Sequence, residues 1–188
     1  GLPADGYLLE NDGKGYFKDV SVDKAPALKG LGMVTDMLWA DIDNDGDKDM
    51  VIAGDWMPVK ILVNTGGRFT DESEKYGMKD TEGWWHRIEA ADLNGDGFVD
   101  FVLGNHGLNS FFKASAGRPV MMYVNDFDLN GTVEQIICTY NGGKAYPLAG
   151  KDEIVKQIPS LVTKYPKFAD YMNQTVEDIF PEEVLNRS

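Results

Sequence analysis

The sequence predicts a mainly β chain: a partial β-propeller of about three four-stranded blades or part-blades, ending in a short helical segment. Three observations carry this expectation. An acidic turn returns three times, at residues 41–49, 92–100 and 126–134. A longer unit of about 51 residues repeats around the first two turns and holds four strand-like segments, the pattern of a propeller blade. The 21 glycines among 188 residues follow no collagen-like period and point to many tight turns.

In chain order, LLENDGKGYFKDVS from Leu8 aligns with ILVNTGGRFTDES from Ile61, pairing Asn11 with Asn64, Gly13 with Gly66, Phe17 with Phe69 and Asp19 with Asp71. Each reads as strand, glycine turn and strand. The chain thus opens with the last two strands of a blade, near residues 7–20, and runs through a full blade over residues 33–71. Another blade opens at Trp84. Longer strands are expected around residues 33–40 and 84–91. The runs MVIAG, FVLGN and QIICTY that follow the acidic turns read as short buried strands.

The third turn breaks the period. Only 34 residues separate Asp92 from Asp126, against 51 between Asp41 and Asp92, so the blade opened at Trp84 lacks a normal second half. The intervening HGLNSFFKASAGRP reads as an irregular loop, and EQIICTYNGGKAYPLA as a hairpin turning at Asn141, Gly142 and Gly143. From Lys151 the apolar residues Ile154, Ile158, Leu161, Val162, Tyr165, Phe168 and Met172 fall at helical spacing, cut by Pro159, Pro166 and Pro181. Short helices are expected at residues 152–158, 160–165, 167–172 and 176–180, packed on the last blade. The domain division is therefore 1–150 for the blades with their three turns and 151–188 for the helices.

The turns carry the chemistry. The first places Asp41, Asp43 and Asp45 at positions 1, 3 and 5, Gly46 at position 6 and Asp49 at position 9. The second sets Asp92, Asn94, Asp96, Gly97 and Asp100 at those five places, and the third Asp126, Asp128, Asn130, Gly131 and Glu134. Hard oxygen ligands at this spacing suit calcium. Without a cation, carboxylate pairs at about 4 Å repel by roughly 1 kcal/mol even in water. An EF-hand is excluded, because it needs an acid at position 12 and flanking helices. Ile52, Leu103 and Ile137 stand there, inside strand-like runs.

Composition bounds the remaining classes. A formal charge of −13 argues against a nucleic-acid partner. Cys138 is the single cysteine, so no intrachain disulfide exists, and its apolar surroundings in sequence mark it as a buried thiol. No apolar run is long enough for a transmembrane helix. The N-terminal GLPADGYLLEN has no signal-peptide character, and calcium modules are common where the ion is abundant. An extracellular, cell-surface or periplasmic setting is expected, with the export signal outside these residues.

The N-x-G hairpins paired with D-x-[DN]-x-D-G-x-x-D turns over residues 7–103 resemble the FG-GAP/VCBS repeat family, which includes the calcium-binding blades of integrin α-subunit propellers. The bacterial VCBS type is the more similar, since the FG and GAP signatures of integrins are absent. The resemblance implies two to three calcium ions held by Asp41, Asp43, Asp45 and Asp49, by Asp92, Asn94, Asp96 and Asp100, and by the third turn. It also implies a backbone carbonyl ligand at the position of Asp47, Phe98 and, in the third turn, Thr132. Asn130 and Glu134 depart from the family pattern.

The function expected is a protein interaction or adhesion module, not an enzyme, with the remaining blades of a larger parent chain as neighbours. The alternative is calcium-dependent glycan binding or a glycan-processing accessory role, with Trp56, Trp84, Trp85 and His106 near strand ends as ligand-binding candidates. A lyase-type propeller enzyme ranks below both. His86, inside the strand-like WWHRIEA run, reads as structural, and His106 is the better acid–base candidate. Counting ligand charges ranks calcium affinity as first, second, third turn.

Overall fold

The computed structural model describes residues 4–107, 110, 112–115 and 117–188. Residues up to His106 form one compact unit, and residues from Gly107 onward form another. The first is mainly β and the second joins a small sheet to short helices; the described strands make three antiparallel sheets with no closed barrel. No described helix is long and apolar enough to cross a membrane.

The first unit opens with the hairpin β1 (Leu9–Asn11) and β2 (Phe17–Asp19), paired Leu9 to Asp19. A four-residue helix α1 (Ser21–Lys24) and a 3-10 turn (Pro26–Leu28) follow. Next comes a complete four-stranded meander, β3 (Met33–Ala40), β4 (Asp49–Met57), β5 (Lys60–Thr65) and β6 (Arg68–Asp71), each strand antiparallel to the one before. β7 (Gly83–Ala91) and β8 (Asp100–Asn105) then pair with each other, and β7 touches the far end of β4 through Asp55 and Met57. The aligned segments of the 51-residue unit thus fold alike.

Strand β4 explains why MVIAG is a continuous apolar run instead of an alternating one. Side chains along a strand alternate between faces, and here both faces are covered. Met50 and Ile52 lie in one core with Leu28, Leu62 and Phe69. Val51 and Ala53 lie in a second with Ile61, Val63 and Ile88. Leu8 and Ala27 pack against the first core, while Trp85, Phe101 and Leu103 pack against the second. The meander is therefore sandwiched between the segment before it and the segment after it, as stacked blades require.

In the second unit β9 (Met121–Asn125), β10 (Glu134–Asn141) and β11 (Lys144–Pro147) form a three-stranded sheet. The expected hairpin is present: Asn141 pairs with Lys144 across Gly142 and Gly143. Between β8 and β9, residues 108, 109, 111 and 116 of the expected irregular loop lie outside the described residues. Among the described ones only a Ser115–Arg118 bridge interrupts the loop.

Five helices follow: α2 (Lys151–Gln157), α3 (Leu161–Lys164), α4 (Phe168–Tyr171), α5 (Val176–Ile179) and α6 (Glu182–Leu185). Helices of four to seven residues do not persist alone, so packing must hold them. Ile154, Ile158, Leu161, Tyr165, Val176, Ile179 and Phe180 share a core with Ile136, Cys138 and Ala145 of the sheet. Cys138 is buried there, and burial pushes its thiol pKa up to about 12. In α5 the Thr175 hydroxyl accepts from the Asp178 N–H, and the Asp178 carboxylate accepts from the Thr175 N–H and hydroxyl. These bonds hold the Asp178 pKa below its ordinary value.

Two helical expectations need correction. Phe168 and Met172 are exposed at 60% and 68%, and Tyr171 occupies the inward position, its hydroxyl donating to Ala149 O at 2.8 Å. The helical phase restarts after Pro166, so the spacing counted from Ile154 no longer applies. Helix α6 was not expected either; it begins directly after Pro181.

Candidate metal centres

Each acidic turn joins two antiparallel strands, β3 to β4, β7 to β8 and β9 to β10. All three use one scheme of backbone bonds. The position 1 carboxylate accepts the N–H groups of positions 5 and 6: Asp41 from Asp45 and Gly46, Asp92 from Asp96 and Gly97, Asp126 from Asn130 and Gly131, at 2.9–3.2 Å. The position 5 side chain accepts from position 7: Asp45 from Asp47, Asp96 from Phe98, Asn130 from Thr132. The position 9 acid reaches back to position 2: Asp49 accepts from Ile42, Asp100 from Leu93 and Glu134 from Phe127, at 2.8–2.9 Å.

This wrapping explains the glycine at position 6. Gly46, Gly97 and Gly131 have φ of 95°, 87° and 85°, a region that side chains disfavour. Position 4 is left-handed too, at Asn44, Gly95 and Leu129. Asn and Gly tolerate this conformation, whereas leucine is strained in it. Leu129 is 88% exposed, so its side chain has little packing to lose. Leu129→Asn should stabilise the protein by about 0.5–1 kcal/mol, read as a higher denaturant midpoint with an unchanged slope. A lower midpoint would mean that Leu129 makes contacts its exposure does not reveal.

The turns differ in how their carboxylates gather. Among the described residues, Asp41, Asp43 and Asp49 bring ligand oxygens within 4.8 Å of one another, and so do Asp126, Asp128 and Glu134. The second turn has Asn94 at position 3, so it has no third carboxylate to complete such a trio of positions 1, 3 and 9. There the Asn94 side-chain amide donates to Asp96 Oδ2 at 3.0 Å, a bond that engages an oxygen a cation would otherwise take. The Asp92 pKa is held low by N–H donors, Gly97 first.

Two further features bear on a cation. In the first turn the Asp43 pKa is raised, by partial desolvation first and then by the Asp45, Asp49 and Asp41 charges. In the third, Asp128 Oδ1 is buried and accepts no hydrogen bond. A buried carboxylate oxygen without a donor is costly, and a hard cation supplies what it lacks. Side-chain carboxylates with a carboxamide at the neutral positions are oxygen ligands that calcium takes. Asp41, Asp43, Asp45 and Asp49 would hold an ion in the first turn, and Asp126, Asp128, Asn130 and Glu134 in the third.

The strand-end aromatics separate into two groups. Trp85 packs against the core, and its indole N–H donates to Thr81 O at 2.8 Å. Trp56 and Trp84 are half-buried and meet edge to face at 4.9 Å, and Trp84 meets His106 in the same way at 5.0 Å. Sequence reasoning missed Asn64, whose N–H donates to Asp49 Oδ1 at 2.8 Å and fixes the closing acid from β5. Its place in the repeated N-x-G hairpin was the available signal. It also missed Asp36, which accepts the Ile88 N–H at 2.9 Å and so ties β3 to β7.

No curated protein and no solved structure matches the chain significantly. One family model does match, over residues 41–103, the span from the first acidic turn through most of β8. The chain carries an FG-GAP-like repeat, as the resemblance of its turns and hairpins implied.

Proposed function

We propose that this protein is a calcium-stabilised, propeller-type interaction module of an exported or surface protein, with blades that stack on further blades of a parent chain. The observation that carries the calcium reading is the shared bond scheme of the three turns, with Asp128 Oδ1 buried and undonated at the third. The FG-GAP-like repeat supports the propeller reading. So does the exposure of Tyr7, Leu9, Tyr16 and Phe17 on the first hairpin, apolar surface that a preceding blade would cover. The role is non-enzymatic on this reading, the paired carboxylates serving as cation ligands.

The affinities test it. Ligand charge ranks the turns first, second, third. We place the third turn above the second, because Asp128 Oδ1 is buried without a donor there while the Asn94 amide engages Asp96 in the second. Calorimetric calcium titration of Asp43→Ala, Asn94→Ala and Asp128→Ala should therefore remove the tighter sites in the first and last variants and the weakest in the second. No calcium heat in the unmodified protein would overturn the reading, and a tightest site lost in Asn94→Ala would overturn the order.

A further inference from the structure

The chain has two histidines, and the fold brings them together. His86 on β7 and His106 just beyond β8 have ring centroids 6.0 Å apart. Asp55 of β4 stands beside them, its Oδ1 3.9 Å from His86 Nδ1. That same oxygen is buried and accepts no hydrogen bond. Three ligand-type side chains thus converge from three adjacent strands, away from the acidic turns.

The backbone is irregular at the positions that do this. The β4–β7 register shifts between Asp55 and Met57, which places Trp56 in a bulge, and the β7–β8 register shifts between Trp85 and Arg87, which places His86 in another. Trp56 has φ of 60°, a conformation that bulky residues rarely keep without constraint. Bulges re-aim side chains, and they concentrate beside functional sites. The repeat shows what is special about this place. Across the 51-residue period His86 corresponds to Thr35 and His106 to Asp55. Thr35 also sits at a register shift, but its hydroxyl donates to the carbonyls of Ala53 and Trp85, a structural use. At the next repeat the same bulge presents an imidazole that is 53% exposed.

We propose that Asp55, His86 and His106 form a binding site for a divalent transition-metal ion of the zinc class, distinct from the acidic turns. Two imidazoles and one carboxylate are borderline ligands that favour such ions over calcium. In a tetrahedral site ligands at about 2.1 Å from one ion lie roughly 3.4 Å apart, so the 3.9 Å Asp55–His86 separation has only about half an ångström to close. The three groups are not gathered within 4.8 Å as they stand, and closing the set requires the exposed His86 ring to rotate toward His106. Half-buried Trp56 and Trp84 wall one side, which limits solvent at the ion and strengthens its attraction to the carboxylate. The ion would give Asp55 Oδ1 the partner it lacks.

The test is zinc titration of the 188-residue protein in saturating calcium, followed by calorimetry and by the imidazole resonances. With two histidines, both sets of ring signals should shift together at one zinc per chain. His86→Gln and His106→Gln should each weaken zinc binding at least tenfold while melting like the unmodified protein in zinc-free calcium buffer. Cobalt should give a visible ligand-field spectrum, and His106→Cys should retain cobalt and add a thiolate charge-transfer band. Unmoved imidazole signals, zinc binding that survives both glutamine variants, or complete displacement of zinc by calcium would each overturn the proposal.

Discussion

Asp49→Asn should destabilise the first unit by about 2–3 kcal/mol even without calcium, the cost of leaving a buried backbone donor unpaired. Asp49 has no exposed surface. Its two oxygens are both committed: Oδ2 accepts from Ile42 N and Oδ1 from Asn64 N, each at 2.8 Å. One oxygen thus fixes the acidic turn and the other fixes β5 against β4. Asparagine has the same shape but one acceptor, so its NH₂ group must face one of those amides. For a unit of this size the loss corresponds to roughly 8–20 °C in melting temperature. The same variant should also lose the calcium response of the first turn. Asp47→Asn, an exposed change two residues away, should stay within about 0.5 kcal/mol. Equal melting of Asp49→Asn and the unmodified protein would mean that the closing acid is not the strut these bonds describe.

What could be read in the sequence was what is encoded locally. The turn spacing is local, since position 1 bonds to positions 5 and 6 and position 9 to position 2, and all three copies fold alike. Strands Met33–Ala40 and Glu134–Asn141 were legible because β-branched and apolar residues fill them. The unread parts depend on phase or on side-chain choice. A four-residue helix such as α1 or α6 is too short to show a period. The prolines reset the helical phase, which is why Phe168 and Met172 face solvent. Charge counting ranks the second turn above the third, and the spacing carries no sign of the Asn94 amide turned onto Asp96. The meeting of His86 with His106 depends on bulges, and residue types alone do not announce a bulge.

Calcium removal should lower melting in both units, since the first turn belongs to one and the third to the other. An ion that binds the folded state alone stabilises it by RT ln(1 + [L]/Kd). For dissociation constants of about 10⁻⁴ to 10⁻³ M, as in extracellular modules, millimolar calcium contributes ~0.4–1.4 kcal/mol per site. In units of this size each site is then worth roughly 2–10 °C. The direction with pH follows from Asp43, whose carboxyl is raised by desolvation and by its acidic neighbours. Without calcium the folded turn holds its proton to higher pH than the unfolded chain does, so this group's contribution falls as pH rises through the carboxylate range. Calcium opposes that loss, and its stabilising effect should therefore grow from acidic to neutral pH. Magnesium should restore little of it, because it demands a tight octahedron at 2.0–2.1 Å while these turns offer a looser set of oxygens. The measurement is a pair of melting curves at neutral and acidic pH, in calcium and after chelation with metal removal confirmed by elemental analysis. Two unchanged transitions at neutral pH would reduce all three acidic runs to solvated turns, held by the backbone bonds of Asp41, Asp92 and Asp126 alone.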